Sequence, residues 1–271
     1  MPGDPPQVDL AATVRDLVGD LWDNDVAAAL DRNPQASAAA VRLLADPPPS
    51  IEAGLVAESL AYAELQAGPE FAAWLAERGP AAPAPSPDPV RLERDGDHLT
   101  ITLHRPEWHN AVDVAMRDAL VEAFELVAAD AALTATLQGD GPSFSSGGDL
   151  REFGTFPDPA MAHAIRLERL PARGLVAVAD RVTARVHGHC VGAGAALGAC
   201  CHRVVAAPGP TFRLPAVAMG LVPGRGGTVS LPRRIGASRT AWLTLSATAI
   251  DADTALEWGL VDGIEAGPPS R

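Results

Sequence analysis

The chain has 271 residues, a net charge of −13 and an apolar share of 47%, which suits one full α/β domain with an appendage. The acidic balance argues against nucleic-acid and anionic-membrane partners, and no apolar run approaches the ~20 residues of a membrane span. All 21 basic residues are arginine, so a lysine Schiff base and a Walker lysine are both excluded.

Residues 1–78 read as helical. The run 8–22 places Leu10, Val14, Leu17, Val18 and Leu21 on one stripe. Segments near 24–31, 36–45 and 51–66 continue the pattern, with Ser50 as a cap for the last. A short helix with proline in its opening turn follows at 68–78. Tyr62, Phe71 and Trp74 are read as packing. The stretch 79–89 is proline-rich, extended and semi-rigid, and the domain boundary is placed there, with the core at 90–271.

Two alternating runs around Asp95-Gly96 predict a hairpin over 90–103. Asn110 to Asp113 has capping-box spacing before a helix that runs to about Ala129, and 133–138 is the next strand. A glycine turn, Ser145-Ser-Gly-Gly-Asp149, comes next, then a helix near 159–169 and a hydrophobic segment 174–179. The β-branched run 181–186 leads into a second glycine turn, Val191-Gly-Ala-Gly194, and a buried helix. Strand, glycine turn and helix together leave backbone N–H groups free to hold an anion or oxyanion. Strand-like 203–207 and 211–215, the loop 222–228 and a helical tail ending near Asp262 complete an α/β pattern.

From Arg181 to Ile250 there are eight arginines and no Asp or Glu. This is either a basic face paired with the acidic N-terminal part or a positive field around a phosphate-bearing ligand. In both cases no carboxylate base comes from this segment. The three cysteines, Cys190, Cys200 and Cys201, form no C-x-x-C, which argues against a disulfide framework or metal site and for a reducing cytoplasm. The acidic start, without basic and apolar regions, is unlike a signal peptide.

Together the blocks 105–111, 144–153, 186–194, 212–216, 220–228 and 250–261 resemble the crotonase (enoyl-CoA hydratase/isomerase) superfamily, in family order and spacing over about 88–264. The resemblance implies a spiral of ββα units that binds an acyl-CoA, needs no cofactor besides its CoA-thioester substrate, and assembles as a homotrimer or hexamer. It maps the oxyanion amides onto Gly148 and Ala193, and CoA contacts onto Arg151 and Trp108. The two glutamates of the family hydratases fall on Ala196 and Ala216, so ordinary hydration is not expected, because proton transfer needs a titratable group within reach. The C-terminal helical region is shorter than the family's, and the N-terminal helices are expected to replace it. A partial likeness to the cofactor-independent aryl-acetyl-CoA dioxygenases, which also lack the glutamates, points the same way.

Two histidines are acid–base candidates. His189 faces either the acyl pocket or a backbone carbonyl in the core. His163, with Glu152 and Glu168, is placed on the helix bordering the pocket or on its solvated face. Asp149 is expected to cap a helix after the first turn, and Cys190 beside His189 points to the opposite face. Gly192, Gly194 and Gly198 resemble a dinucleotide fingerprint, but the acid that would hold the ribose is missing. Two readings of function follow: an acyl-CoA enzyme working through a stabilised enolate (isomerase, lyase, decarboxylase or cofactor-free oxygenase), or a non-catalytic acyl-CoA-binding or assembly subunit.

Overall fold

The computed structural model describes residues 9–82, 84, 87–156 and 158–265. Five helices come first: α1 Leu10–Val18, α2 Asn24–Arg32, α3 Pro34–Ala45, α4 Ile51–Gln66 and α5 Pro69–Arg78. Their starts follow from local chemistry. Asp9, Asp23 and Ser50 each accept a backbone N–H of the first turn, while α3 and α5 open on proline, whose missing N–H costs nothing at that position. The helix expected over 8–22 ends at Gly19, which has a φ of 56° and begins a short 3₁₀ turn, while the stripe Leu10, Val14, Leu17, Val18 and Leu21 packs into one apolar cluster.

The second part contains β1 Val90–Asp95, β2 His98–Leu103, α6 Val114–Ala129, β3 Thr134–Gly139, α7 Pro159–Glu168, α8 Pro171–Ala177, β4 Val182–Val186 and β5 His189–Val191. It continues with α9 Ala193–Cys200, β6 Arg203–Ala206, β7 Thr211–Arg213, α10 Gly227–Ser246, α11 Ala252–Trp258 and β8 Gly263–Ile264. The predicted hairpin forms in register, Val90 opposite Leu103 and Asp95 opposite His98, with Gly96 at a φ of 57° in its turn. Every later pairing in this sheet is parallel, in the order β1-β2-β3-β4-β6-β8. β5 and β7 form a separate parallel pair. Parallel neighbours need crossovers, which the intervening helices supply. The hydrophobic segment 174–179 falls largely in one of them, α8. Capping before α6 is done by Asp113, which accepts from Met116 N at 2.8 Å, and not by Asn110.

The boundary drawn at 79–89 separates two segments in sequence but not in space. Val14, Val41, Leu44 and Phe71 share one apolar cluster with Val217, Leu221, Ala241 and Leu245. The connector is only partly described, since residues 83, 85 and 86 lie outside the described set. α10 carries this packing. It is broken at Gly236, with a φ of 81°, so its two halves take different directions: Ser230 meets α9 through Ala196 O, and Ser238 meets α1 through Val18 O.

The deepest link between the two parts is Glu58 on α4, 1% exposed. Its carboxylate accepts from Gly226 N at 2.6 Å and from Thr228 N and Oγ1 at 2.7 Å each, satisfying donors at the start of α10 that have no partner within the helix. Burial pushes Glu58 up from 4.5 to about 7, against these hydrogen bonds. The folded state therefore holds an extra proton between those values, and the contribution of this group to stability falls as pH rises from about 4.5 to 7 and is level above that. Relative to Glu58→Gln, which does not titrate, the wild-type protein should lose up to about 3 kcal/mol between pH 5 and 8. Urea unfolding of both proteins across that range checks this, and parallel pH curves would refute it.

Candidate oxyanion site

A buried arginine organises the loops around the first glycine turn. Arg105 is 0% exposed. Its guanidinium lies 3.2 Å from Asp113 Oδ2 and 3.2 Å from Asp149 Oδ2, and donates to the carbonyls of Ala84 and Ala111. Asn110 sits beside it at a φ of 52°, accepts from Arg105 N, and donates to the carbonyls of Asp140 and Ser143. These bonds carry the chain to Val112, whose N donates to Gly147 O at 2.7 Å and whose O accepts from Asp149 N at 3.1 Å. Gly148 is bracketed by the two bonds and takes part in neither.

The second glycine turn is tied to the first. Ser145 pairs with Cys190 as an isolated parallel bridge, with Ser145 N donating to His189 O and Val191 N to Ser145 O, both at 2.9 Å. The approach is too close for side chains at two glycines. A Cβ on Gly147, itself at a φ of 96°, would sit 3.0 Å from Val191 O and 3.6 Å from Ala193 N; one on Gly194 would sit 2.8 Å from Ser145 Cβ. Ala193 opens α9 after Gly192, whose φ is 51°. Neither the Gly148 nor the Ala193 amide has an acceptor among the described residues. Two adjoining turns thus present one unused N–H each, which is the equipment for holding an oxyanion.

The alanines expected at the glutamate positions are both small and quiet. Ala196 is buried in α9, and Ala216 precedes a 3₁₀ turn, its carbonyl accepting from Met219 N and Leu221 N. Arg151 is committed to Asp149 by two hydrogen bonds of 2.8 and 2.5 Å and stacks over the exposed ring of Trp108, 3.7 Å from its centroid. Burial would raise the Asp149 carboxyl, but the bonds from Arg151 and Arg105 outweigh it and hold it below the ordinary range. Asp149 caps no helix; the residues after it form turns, and its Oδ1 accepts from Arg151 N.

The two candidate histidines, His163 and His189, have different partners on different elements. His189 is exposed on β5, with Nδ1 3.2 Å from Thr211 Oγ1 and its ring edge-on to His109, so its hydrogen-bond partner is a hydroxyl and not a backbone carbonyl of the core. The alternation expected of a strand places Cys190 on the buried side, where burial pushes its thiol far above the ordinary range. His163 links α7 to α4, its Nδ1 2.8 Å from Ser59 Oγ. Glu168 is exposed, and Glu152 lies outside α7. Glu152 is half-buried in the turn after Asp149, accepts from Val114 N at 3.1 Å, and is raised by burial and by Asp113 and Asp149, while Val114 N–H and Arg225 act against it.

Arg225, one of the eight arginines of the acid-free segment, lies beside the first glycine turn. Its guanidinium approaches Val112 O at 3.5 Å, the same carbonyl that accepts from Asp149 N beside Gly148. Burial, with Arg117 and Arg166 nearby, lowers its pKa to about 10. Arg166 stacks over Tyr62, 4.2 Å from the ring centroid, and bonds only neutral groups, Ser59 and Gln66. The Tyr62 ring also closes on Gly224, where a Cβ would lie 2.5 Å from Cδ2. The pairing of the arginine-rich segment with N-terminal acids is not found among the described residues. Arg181, Arg213 and Arg239 bond backbone carbonyls, Arg203 meets Glu265, and Arg234 meets Asp262 as well as carbonyls.

A mainly parallel sheet with two amide-bearing glycine turns beside it fits the crotonase-type α/β fold that the resemblance implies. The comparisons carry this one step further: residues 94–267 match the model of the enoyl-CoA hydratase/isomerase family, and the chain belongs to that family. The Bacillus subtilis protein YhaR, named for the same family, is 34% identical over 184 residues, 67% of this chain and 72% of that one. The 2,3-dehydroadipyl-CoA hydratase of Escherichia coli is 35% identical over 167 residues, 61% of this chain and 65% of that protein, so the match spans just under two thirds of it. Among solved structures, enoyl-CoA hydratase from Thermoplasma volcanium superposes with a TM-score of 0.61 at 30% identity, over 66% of this chain and 72% of that one. No helix among the described residues is long and apolar enough to cross a membrane.

Proposed function

We propose that the protein is an acyl-CoA enzyme that stabilises a thioester enolate between the amides of Gly148 and Ala193 and does not perform ordinary hydration. The observation that carries this is the pair of unused amides on two joined turns, with alanine where the family resemblance places the hydratase glutamates. In this reading the thioester oxygen accepts both N–H groups. When Cα loses a proton, carbon dioxide or an acyl carbon, its bonding pair moves into the C–O unit, where each donor contributes about 2.7–4 kcal/mol. Glu152, half-buried close to the Gly148 turn, takes the acid–base role, since a raised carboxyl is nearer the pH at which it exchanges protons efficiently. Arg151 and Trp108 serve the CoA end, no separate cofactor is called for, and the homotrimer or hexamer implied by the family is part of the same reading.

The test is a panel of saturated and unsaturated CoA thioesters in deuterated buffer, with and without oxygen, followed by mass spectrometry. Exchange or turnover at Cα without hydration of crotonyl-CoA is the expected result. Efficient hydration would overturn the reading. Binding without any exchange or turnover would leave the non-catalytic acyl-CoA-binding subunit in its place, and no CoA-ester affinity in low salt would remove both.

A further inference from the structure

Arg225, beside the first glycine turn, and its neighbour Arg166 lack a direct ion pair among the described residues, although Glu152 and Glu58 act on them from a distance. Their polar contacts are the Val112 carbonyl for Arg225 and Ser59 and Gln66 for Arg166. Both are half-buried and lie within Coulombic reach of each other and of Arg117; Arg166 stacks over Tyr62, whose ring also closes on Gly224 beside Arg225. A guanidinium partly withdrawn from water and without a direct ion pair gains from an anion brought to it. The carboxylates in the neighbourhood do not supply a direct pair. Glu58 is held by three donors at the start of α10, Glu152 is bonded to Val114 N, and Asp149 is shared by Arg105 and Arg151. Tyr62 and Glu152 ease the Arg225 charge only in part, since its pKa still drops to about 10.

We infer that the acyl group of the substrate carries its own carboxylate, held by Arg225 with Arg166 supporting the field, so that the substrate class is the CoA monoester of a dicarboxylic acid. The inference rests on the acyl-CoA reading above. Arg225 touches the carbonyl that borders the Gly148 turn, so its reach is to the acyl part of a thioester seated there. The planar guanidinium fork matches a carboxylate bidentately.

Titration calorimetry of the full chain with malonyl-, succinyl-, glutaryl- and adipoyl-CoA against the uncharged acyl-CoA of equal chain length tests this, with free CoA as reference. At one chain length or more the carboxylated ester should bind about ten- to hundredfold tighter than its uncharged match. Arg225→Met should abolish that preference while leaving the uncharged ester and free CoA within about threefold of wild type. Equal affinity for charged and uncharged esters in the wild-type protein would overturn the inference while leaving the acyl-CoA reading intact. An equal loss for all esters and free CoA in Arg225→Met would assign the arginine to the nucleotide end and overturn it too. Absence of binding by any thioester would remove the acyl-CoA reading itself, and this inference with it. Arg225→Lys, which keeps the charge without the fork, is expected to restore part of the preference, separating recognition from a change in folding.

Discussion

Replacing Ala193 by proline is expected to lower thioester turnover by two to three orders of magnitude while leaving the fold and CoA affinity in place. Ala193 is the first residue of α9, where proline is tolerated because the N–H it lacks has no partner within the helix. Gly192, preceding it, has no Cβ to meet the proline ring. The substitution removes the N–H and sets the ring Cδ where it pointed, so the donor and the place of the reacting oxygen are lost together while the helix keeps its own hydrogen bonds. Steady-state rates with the best substrate of the panel, alongside thermal unfolding and CoA titration, check the result. Turnover within about threefold of wild type in a folded, CoA-binding variant would mean that the amide does not hold the reacting oxygen.

The largest loss of stability is expected from Arg105→Met. Arg105 is fully buried between Asp113 and Asp149, and its removal leaves two buried carboxylates without their shared cation. Breaking such an arrangement on one side costs about 3–5 kcal/mol, which in a chain of this size lowers Tm by on the order of 10 °C. Methionine preserves much of the volume, so the loss measures charge and hydrogen bonding more than packing. Because Asp149 stays joined to Arg151, the damage should concentrate at Asp113 and the start of α6, and hydrogen exchange should show faster opening there than at α9. A Tm within about 2 °C of wild type would show that the loops hold Gly148 without this centre.

Much of the framework was legible because the signals are local. The Asp95-Gly96 turn specifies its own hairpin, and Ser50 caps α4 through a residue three places on. The glycine turns were readable for the same reason: a backbone that meets another backbone excludes side chains, and Gly147 and Gly194 mark that contact. Asn110 shows where local reading stops. Its spacing before α6 looks like a cap, yet its side chain is consumed by Arg105, Asp140 and Ser143, and the cap passes to Asp113. Partners far apart in sequence left even less trace. Arg105 and Asp149 are 44 residues apart, and Glu58 and Gly226 are 168 apart. A faint signal existed for Glu58, an acid between Leu55 and Tyr62 on one face of α4, where an apolar residue would be ordinary. For Arg225 the signal was electrostatic: in a segment without acids, an arginine that turns inward has no local carboxylate to meet.

The Glu58 contact also sets an order of events during synthesis. With 168 residues between Glu58 and Gly226, a ribosome adding about 5–20 residues per second delivers the second partner on the order of 10–30 s after the first. Through that interval the nascent α4 presents a carboxylate with no receptor, at a face that later lies against the start of α10. The strands of the large sheet, apart from β8, are all translated before α10 begins. The loop that bears Arg225 therefore settles only after most of the scaffold has been made, and the emerging chain is most exposed to trapping or to a chaperone while the first helices await it.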